Sequence, residues 1–191
     1  NEKVNAIISD NRYGCRVKSI PSVFVTHQSN VMMPRRFGWL QRPVRLLTER
    51  LISRFDSCWI PDMPEGHSLA GDLISFGKNR IKAKIEFIGW LSRFDALPGD
   101  ASDQIDVLAV LSGPEPQRTA LENTIVPPLK TSGLRYFVVR GLPSGTTPRE
   151  NERIVDFLSS RQLQSCIQSS SIVIARSGYS TVMDMNALGK K

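Results

Sequence analysis

The chain has 191 residues, 40% of them hydrophobic and 23% charged, with a formal charge of +7 and a pI near 9.7. This is ordinary globular composition, long enough for one or two domains, and the basic excess points to an anionic partner or, more plainly, to a solvated basic face. Cys15, Cys58 and Cys166 lack C-x-x-C spacing and there are only two histidines, which excludes a disulfide framework or a zinc site and fits a reducing compartment.

No apolar run reaches membrane-spanning length, and no signal peptide precedes the first predicted strand. The chain opens inside an apolar run and closes on Gly189-Lys190-Lys191 just after a predicted helix. Both ends read as cut, so a fragment of something longer is expected.

Strands are predicted at Val4–Ser9 and Pro21–Thr26, the second leading into His27, Gln28, Ser29 and Asn30. Polar residues just past a strand's C-terminal end sit where open α/β sheets place their ligands, although His27 reads equally well as an ordinary loop residue. Residues 31–54 are unusual, because Met32, Met33, Phe37, Trp39 and Leu40 alternate with Arg35, Arg36, Arg42 and Arg45. A helix from Pro43 is predicted, with Val44, Leu47, Leu51, Ile52 and Phe55 forming its apolar stripe. The plain reading is a core-packing helix with a basic outer face. The sharper one is an interfacial element at 32–45 that meets anionic lipid; no nucleic-acid-binding module is matched.

Ser57–Ile60 reads as a further strand, and the Pro-, Gly- and Asp-rich run that follows it, 61–72, as an interdomain linker. Beyond it strands are expected at Ile85–Ile88, Val107–Leu111, Tyr136–Val139 and Ile154–Leu158. A polar turn falls at 95–103, and a loop of Pro, Gly, Thr and Ser at 142–151. One helix carries Leu121, Ile125 and Leu129 and stops or kinks at Pro127-Pro128, and another spans Gln162–Gln168. The stretch Ser171–Gly189 then gives a short apolar strand, Ile172–Ala175, of a kind buried on both faces. A polar turn, Arg176 to Ser180, follows it. The closing helix is Thr181–Leu188, with Val182, Met185 and Leu188 on one face. Alternation of strands and helices implies parallel sheets with crossover connections.

Three turns at strand ends carry the candidate chemistry: G-W-L-S-R (89–93), L-S-G-P-E-P-Q-R (111–118) and R-S-G-Y-S-T (176–181). On a parallel sheet such turns gather along one edge. Their small residues allow close backbone approach, two helix N-termini attract anions, and Arg93, Arg118 and Arg176 are able to grip phosphate. A pyrophosphate fits this set better than a metal, since no D-x-D or His/Asp/Glu ligand cluster is present.

Taken in this order, the set resembles the GT-B glycosyltransferases, in particular the MurG family of peptidoglycan GlcNAc transferases and its lipid-glycosylating relatives. P-S-V-F-V-T-H-Q-S-N (21–30) is similar to the family's His/Gln/Asn turn, which equates His27 with the family histidine. Gly89–Arg93 resembles the family's G-N-P-V-R. Ser112, Gly113, Pro114, Glu115 and Pro116 stand in place of its glycine-rich phosphate turn, with two prolines where the family has glycines and backbone donors. Arg176, Ser177, Gly178 and Thr181 match R-S-G-x-x-T, and Asp184 takes the place of the ribose-holding acid, usually Glu. Phe157-Leu158 falls on the segment whose backbone reads uracil.

The resemblance implies two Rossmann-like parallel-sheet domains in the GT-B arrangement. Residues 1–75 would be the end of the first domain plus linker, and 76–191 a nucleotide-sugar-binding domain lacking its last elements. It implies metal-independent transfer of a sugar from a UDP-sugar to a lipid-linked acceptor, with no cofactor. The location implied is the cytoplasm, at the cytoplasmic membrane face. Arg93, Ser112, Gly113, Ser177, Gly178 and Thr181 would hold phosphates, with Arg176, Tyr179 and Ser180 in the same turn, Asp184 on the ribose, the Leu158 backbone on the base and His27 as catalytic residue. The family's acceptor loop would precede Asn1 and its donor-sugar loop would follow Lys191. A nucleotide-sugar epimerase of the same fold, with Asp10 as its candidate acid, and a non-catalytic nucleotide-sugar-binding subunit are the alternatives.

Overall fold

The computed structural model describes residues 4–64, 66–76, 81–94, 104–142 and 153–190. The polar turn expected at 95–103 falls wholly outside them, as does nearly all of the loop expected at 142–151. The chain forms two compact units, Asn1–Leu91 and Ser92–Lys191, and each is α/β with a four-stranded parallel sheet.

In the first unit, β1 (Ile7–Asp10), β2 (Ser22–Val25), β3 (Ser57–Ile60) and β4 (Lys84–Phe87) pair in that order. A 3-10 helix, Arg35–Leu40, leads directly into α1 (Gln41–Ile52). Phe24, Ile52, Phe55, Cys58 and Ile60 form the core. Tyr13 stacks on Phe24 at 4.7 Å between ring centres, and burial pushes the Cys58 thiol up to about 12. The buried face of α1 is Thr48, Glu49 and Ile52. The expected apolar stripe is therefore only partly used, since Leu47 is 58% exposed.

The expected boundary at 75/76 gives way to one at 91/92, because β4 completes the first sheet. The run 61–72 is not a linker. The carboxylate of Asp62, fully buried, accepts hydrogen bonds from the amides of Met63 (2.8 Å), Leu69 (3.0 Å) and Ala70 (3.1 Å), from Ser68 Oγ (2.6 Å) and from Trp90 Nε1 (2.9 Å). These bonds hold its carboxyl far below the ordinary range against the opposing effect of burial, as expected of a carboxylate whose charged form collects several donors. The loop is thus folded around a single charge.

In the second unit the strands are β5 (Ile105–Val110), β6 (Tyr136–Val139), β7 (Ile154–Val155) and β8 (Ser170–Ala175), in the spatial order β7-β6-β5-β8. Numbered from the first strand this is 3-2-1-4, the order in half of a doubly wound Rossmann-like sheet, and the direction of winding reverses between β5 and β8. Val107, Leu108 and Ala109 are buried on both faces of the sheet, between one cluster with Leu163 and Ile167 of α3 (Ser160–Ser169) and another with Leu129 of α2 (Gln117–Thr131). A capping box at Ser159 and Gln162 starts α3, satisfying two otherwise orphaned amides.

Pro127 and Pro128 do not end α2, which continues to Thr131. Both prolines lie on its exposed side, where water can reach the carbonyls they orphan, and Leu121, Ile125 and Leu129 hold the opposite face to the core. The strand expected over Ile154–Leu158 shortens to two residues, with Leu158 buried in the following loop. β8 is not covered on both faces: among the described strands it pairs only with β5, and Ile172 is 57% exposed.

Candidate functional site

The switch point between β5 and β8 brings two of the three expected turns together. Val110 and Ala175 are register partners at the C-terminal ends of these strands. Beyond them Ser112, Gly113, Ala175, Arg176, Ser177 and Gly178 line an open cavity of about 590 Å³. The strand ends set its position, since a parallel pair that diverges into separate helices must leave a crevice at this edge.

Two glycines hold tight turns at this sheet edge, Gly113 in the cavity lining and Gly141 behind Leu111. Gly113 has φ +101°, and a Cβ there would stand 1.7 Å from Arg176 Nη1. Gly141, after β6, has φ +70°, and a Cβ there would lie 2.5 Å from the Leu111 carbonyl oxygen. Arg176 Nη1 donates to the Ser112 carbonyl at 3.3 Å, bridging the two turns and setting a cation at the rim.

The two helix N-termini at this edge differ electrostatically. Glu115 stands just before α2, and its carboxylate accepts from the Thr119 amide (3.2 Å) and from Arg118 Nε (2.7 Å). The Thr119 and Arg118 hydrogen bonds hold its carboxyl below the usual range. The positive end of α2 thus already has an anion. By contrast α4 (Tyr179–Ala187) starts at Gly178 with no side-chain cap and no acidic residue in its first turn. With no anion already at it, the positive end of the α4 dipole leaves the stronger attraction for an incoming anion here.

Arg118, expected among the phosphate-gripping arginines, is instead buried in a charge network. It pairs with Glu115 and, at 3.2 Å, with Glu122, which accepts from Arg140 at 2.7 Å; Arg140 also meets Asp156 at 3.2 Å. The network ties the turn after β5 to the ends of β6 and β7. Glu115, Arg118 and Glu122 are visible in the sequence as an i, i+3, i+7 charge pattern. Arg140 and Asp156 join them only through the fold.

The third turn divides at the boundary between the units. Ser92 Oγ donates to Asp184 Oδ1 at 2.8 Å, and Arg93 Nε pairs with Asp184 Oδ2 at 3.3 Å. Asp184 is buried in α4, so the residue expected on the ribose and the arginine expected on phosphate are joined to each other, outside the lining of the cavity. Tyr179 and Ser180 open α4, and the Thr181 hydroxyl lies 3.9 Å from the position of a Gly178 Cβ. Leu158 packs in the core below.

His27 belongs to the first unit, two residues beyond β2. Burial lowers its pKa below 6.5, and the negative charge of Asp10, at the end of β1, opposes that shift. The polar residues around it serve the loop itself. Ser29 Oγ accepts from the Ser75 amide at 3.1 Å, and the Asn30 side-chain amide donates to the Asp72 carbonyl at 3.0 Å. No group of three or more His, Cys, Asp or Glu is placed to hold a metal among the described residues.

Comparison of the chain with protein-family models, curated proteins and solved structures finds no match.

Proposed function

We propose that the chain is part of a GT-B-type glycosyltransferase that takes a sugar from a nucleotide diphosphate sugar, a UDP-sugar by the residues it resembles. The second unit would hold the diphosphate. The observation that carries this reading is the cavity at the β5/β8 switch point, with small residues on its walls, Arg176 at its rim and the uncapped start of α4 opening onto it. In the transfer an acceptor hydroxyl attacks the anomeric carbon, the bond from that carbon to the diphosphate oxygen breaks, and charge gathers on the diphosphate. Arg176 and the α4 amides are suited to stabilise that charge as it develops. His27, whose pKa burial lowers, is the proposed base for the acceptor's proton.

One observation favours a second reading, a nucleotide-sugar-binding unit without chemistry of its own. Among the described residues, those lining the cavity include no side chain able to act as a general base. Calorimetric titration with UDP and assay of UDP release from a panel of UDP-sugars separate the two. Binding with turnover that Arg176→Ala and His27→Ala both reduce supports the transferase, binding without turnover the second reading, and absence of UDP binding contradicts both.

A further inference from the structure

The element at 32–54 is not used by the cavity, and its exposed face is unlike the rest of the surface. Trp39, in the 3-10 helix, is 74% exposed, and Met32, Phe37, Leu46 and Leu47 are exposed with it. At 100° per residue, Arg42, Pro43, Leu46, Leu47 and Arg50 fall within an arc of about 140° on α1, opposite the buried Thr48, Glu49 and Ile52. Large apolar side chains therefore alternate with cations on one solvent-facing strip.

Charge on the strip is of one sign. Between residues 35 and 54 there are six arginines and one acid, Glu49, which is buried against Arg45. Arg36 lies over the Phe37 ring at 4.8 Å. At the far end Arg50, Arg54 and Lys82, with Ser53 and the single carboxylate of Glu49, line a shallow cleft of about 530 Å³ beside Leu46, where three cations outweigh one acid and suit a lipid phosphate.

We propose that this strip is a docking surface for an anionic bilayer. Trp39, Phe37, Leu46 and Leu47 enter the headgroup and acyl boundary, Arg35, Arg36 and Arg42 meet the headgroups, and the Arg50/Arg54/Lys82 cleft takes one phosphate. Duplex nucleic acid would reward the cations but not an exposed Trp and paired leucines, whereas a lipid interface rewards both. The inference is independent of the transferase reading.

The test is sedimentation of the full chain with vesicles of phosphatidylcholine alone and with about 30% phosphatidylglycerol, and titration with a DNA duplex. Two variants are compared, Trp39→Ser/Leu47→Ser and Arg35→Gln/Arg36→Gln/Arg42→Gln. All five side chains are exposed, so both variants should keep the parent melting temperature. The expected result is binding to the acidic vesicles only. The arginine variant should lose about fivefold per arginine, and the Trp/Leu variant about tenfold or more at unchanged charge. Failure to bind acidic vesicles overturns the proposal, and so does acidic-vesicle binding that the Trp/Leu variant retains in full, which would mark a general polyanion surface.

Discussion

Replacing Gly113 with alanine probes the cavity and the fold together. At φ +101° a Cβ is strained whatever the space around it, at about 1–2 kcal/mol. The new Cβ also meets Arg176 Nη1 at 1.7 Å, but the guanidinium is the end of a flexible, exposed side chain and will swing aside. Its movement costs the 3.3 Å bond to the Ser112 carbonyl, worth about 0.5–1 kcal/mol. The total, roughly 2 kcal/mol, lowers the melting temperature of a unit of this size by about 10 °C. A double-mutant cycle with Arg176→Ala separates the parts: the φ strain persists in both backgrounds, while the coupling in stability stays below about 1 kcal/mol. Binding should behave differently. Arg176→Ala alone weakens UDP by tenfold or more, and Gly113→Ala in that background weakens it little further. Differential scanning calorimetry and titration calorimetry read the two effects. A Gly113→Ala protein that melts and binds UDP like the parent would refute both the turn geometry and the role of Arg176.

Other substitutions should follow from the same geometry. Gly141→Ala should destabilise more than Gly113→Ala, because its Cβ meets the Leu111 backbone at 2.5 Å and no side chain can yield; equal melting temperatures would contradict this. Asp62→Ala strands the donors now held by one buried carboxylate and should cost on the order of 3–5 kcal/mol, a large part of a domain's stability, as measured by urea unfolding. Asp62 and His27 both have folded pKa values below their ordinary 3.8 and 6.5, so in each case the unfolded chain takes up its proton first as pH falls. The His27 contribution is therefore present above pH 6.5 and fades on acidification below it, and the Asp62 contribution fades only below about pH 4. An NMR titration that places His27 at or above 6.5 would contradict the first part.

The sheets were largely legible in the sequence. V-L-A-V-L and Y-F-V-V read as strands because parallel strands covered on both faces need no polar alternation. The turns after β5 and β8 were legible too, since small residues following an apolar strand mark the turn out of a sheet. Register and long-range pairing were not. Nothing in local spacing joins Ser92 and Arg93 to Asp184, some ninety residues away. Asp62 was hidden for the opposite reason: its Pro-, Gly- and Asp-rich surroundings have the composition of a linker, and only the bonds to one carboxylate make them a packed loop. Leu47 fitted a core stripe by periodicity, but α1 buries a face centred about 150° away, through Thr48, Glu49 and Ile52. Periodicity identifies a helix more surely than it identifies which side of the helix is covered.

In the proposed function a diphosphate sits between the ends of β5 and β8. Hydrogen–deuterium exchange with and without saturating UDP tests it most directly. Slowed exchange is expected in peptides covering 111–118 and 175–182, and it should be lost in Arg176→Ala. Protection confined to other segments, or none at millimolar UDP, would contradict it.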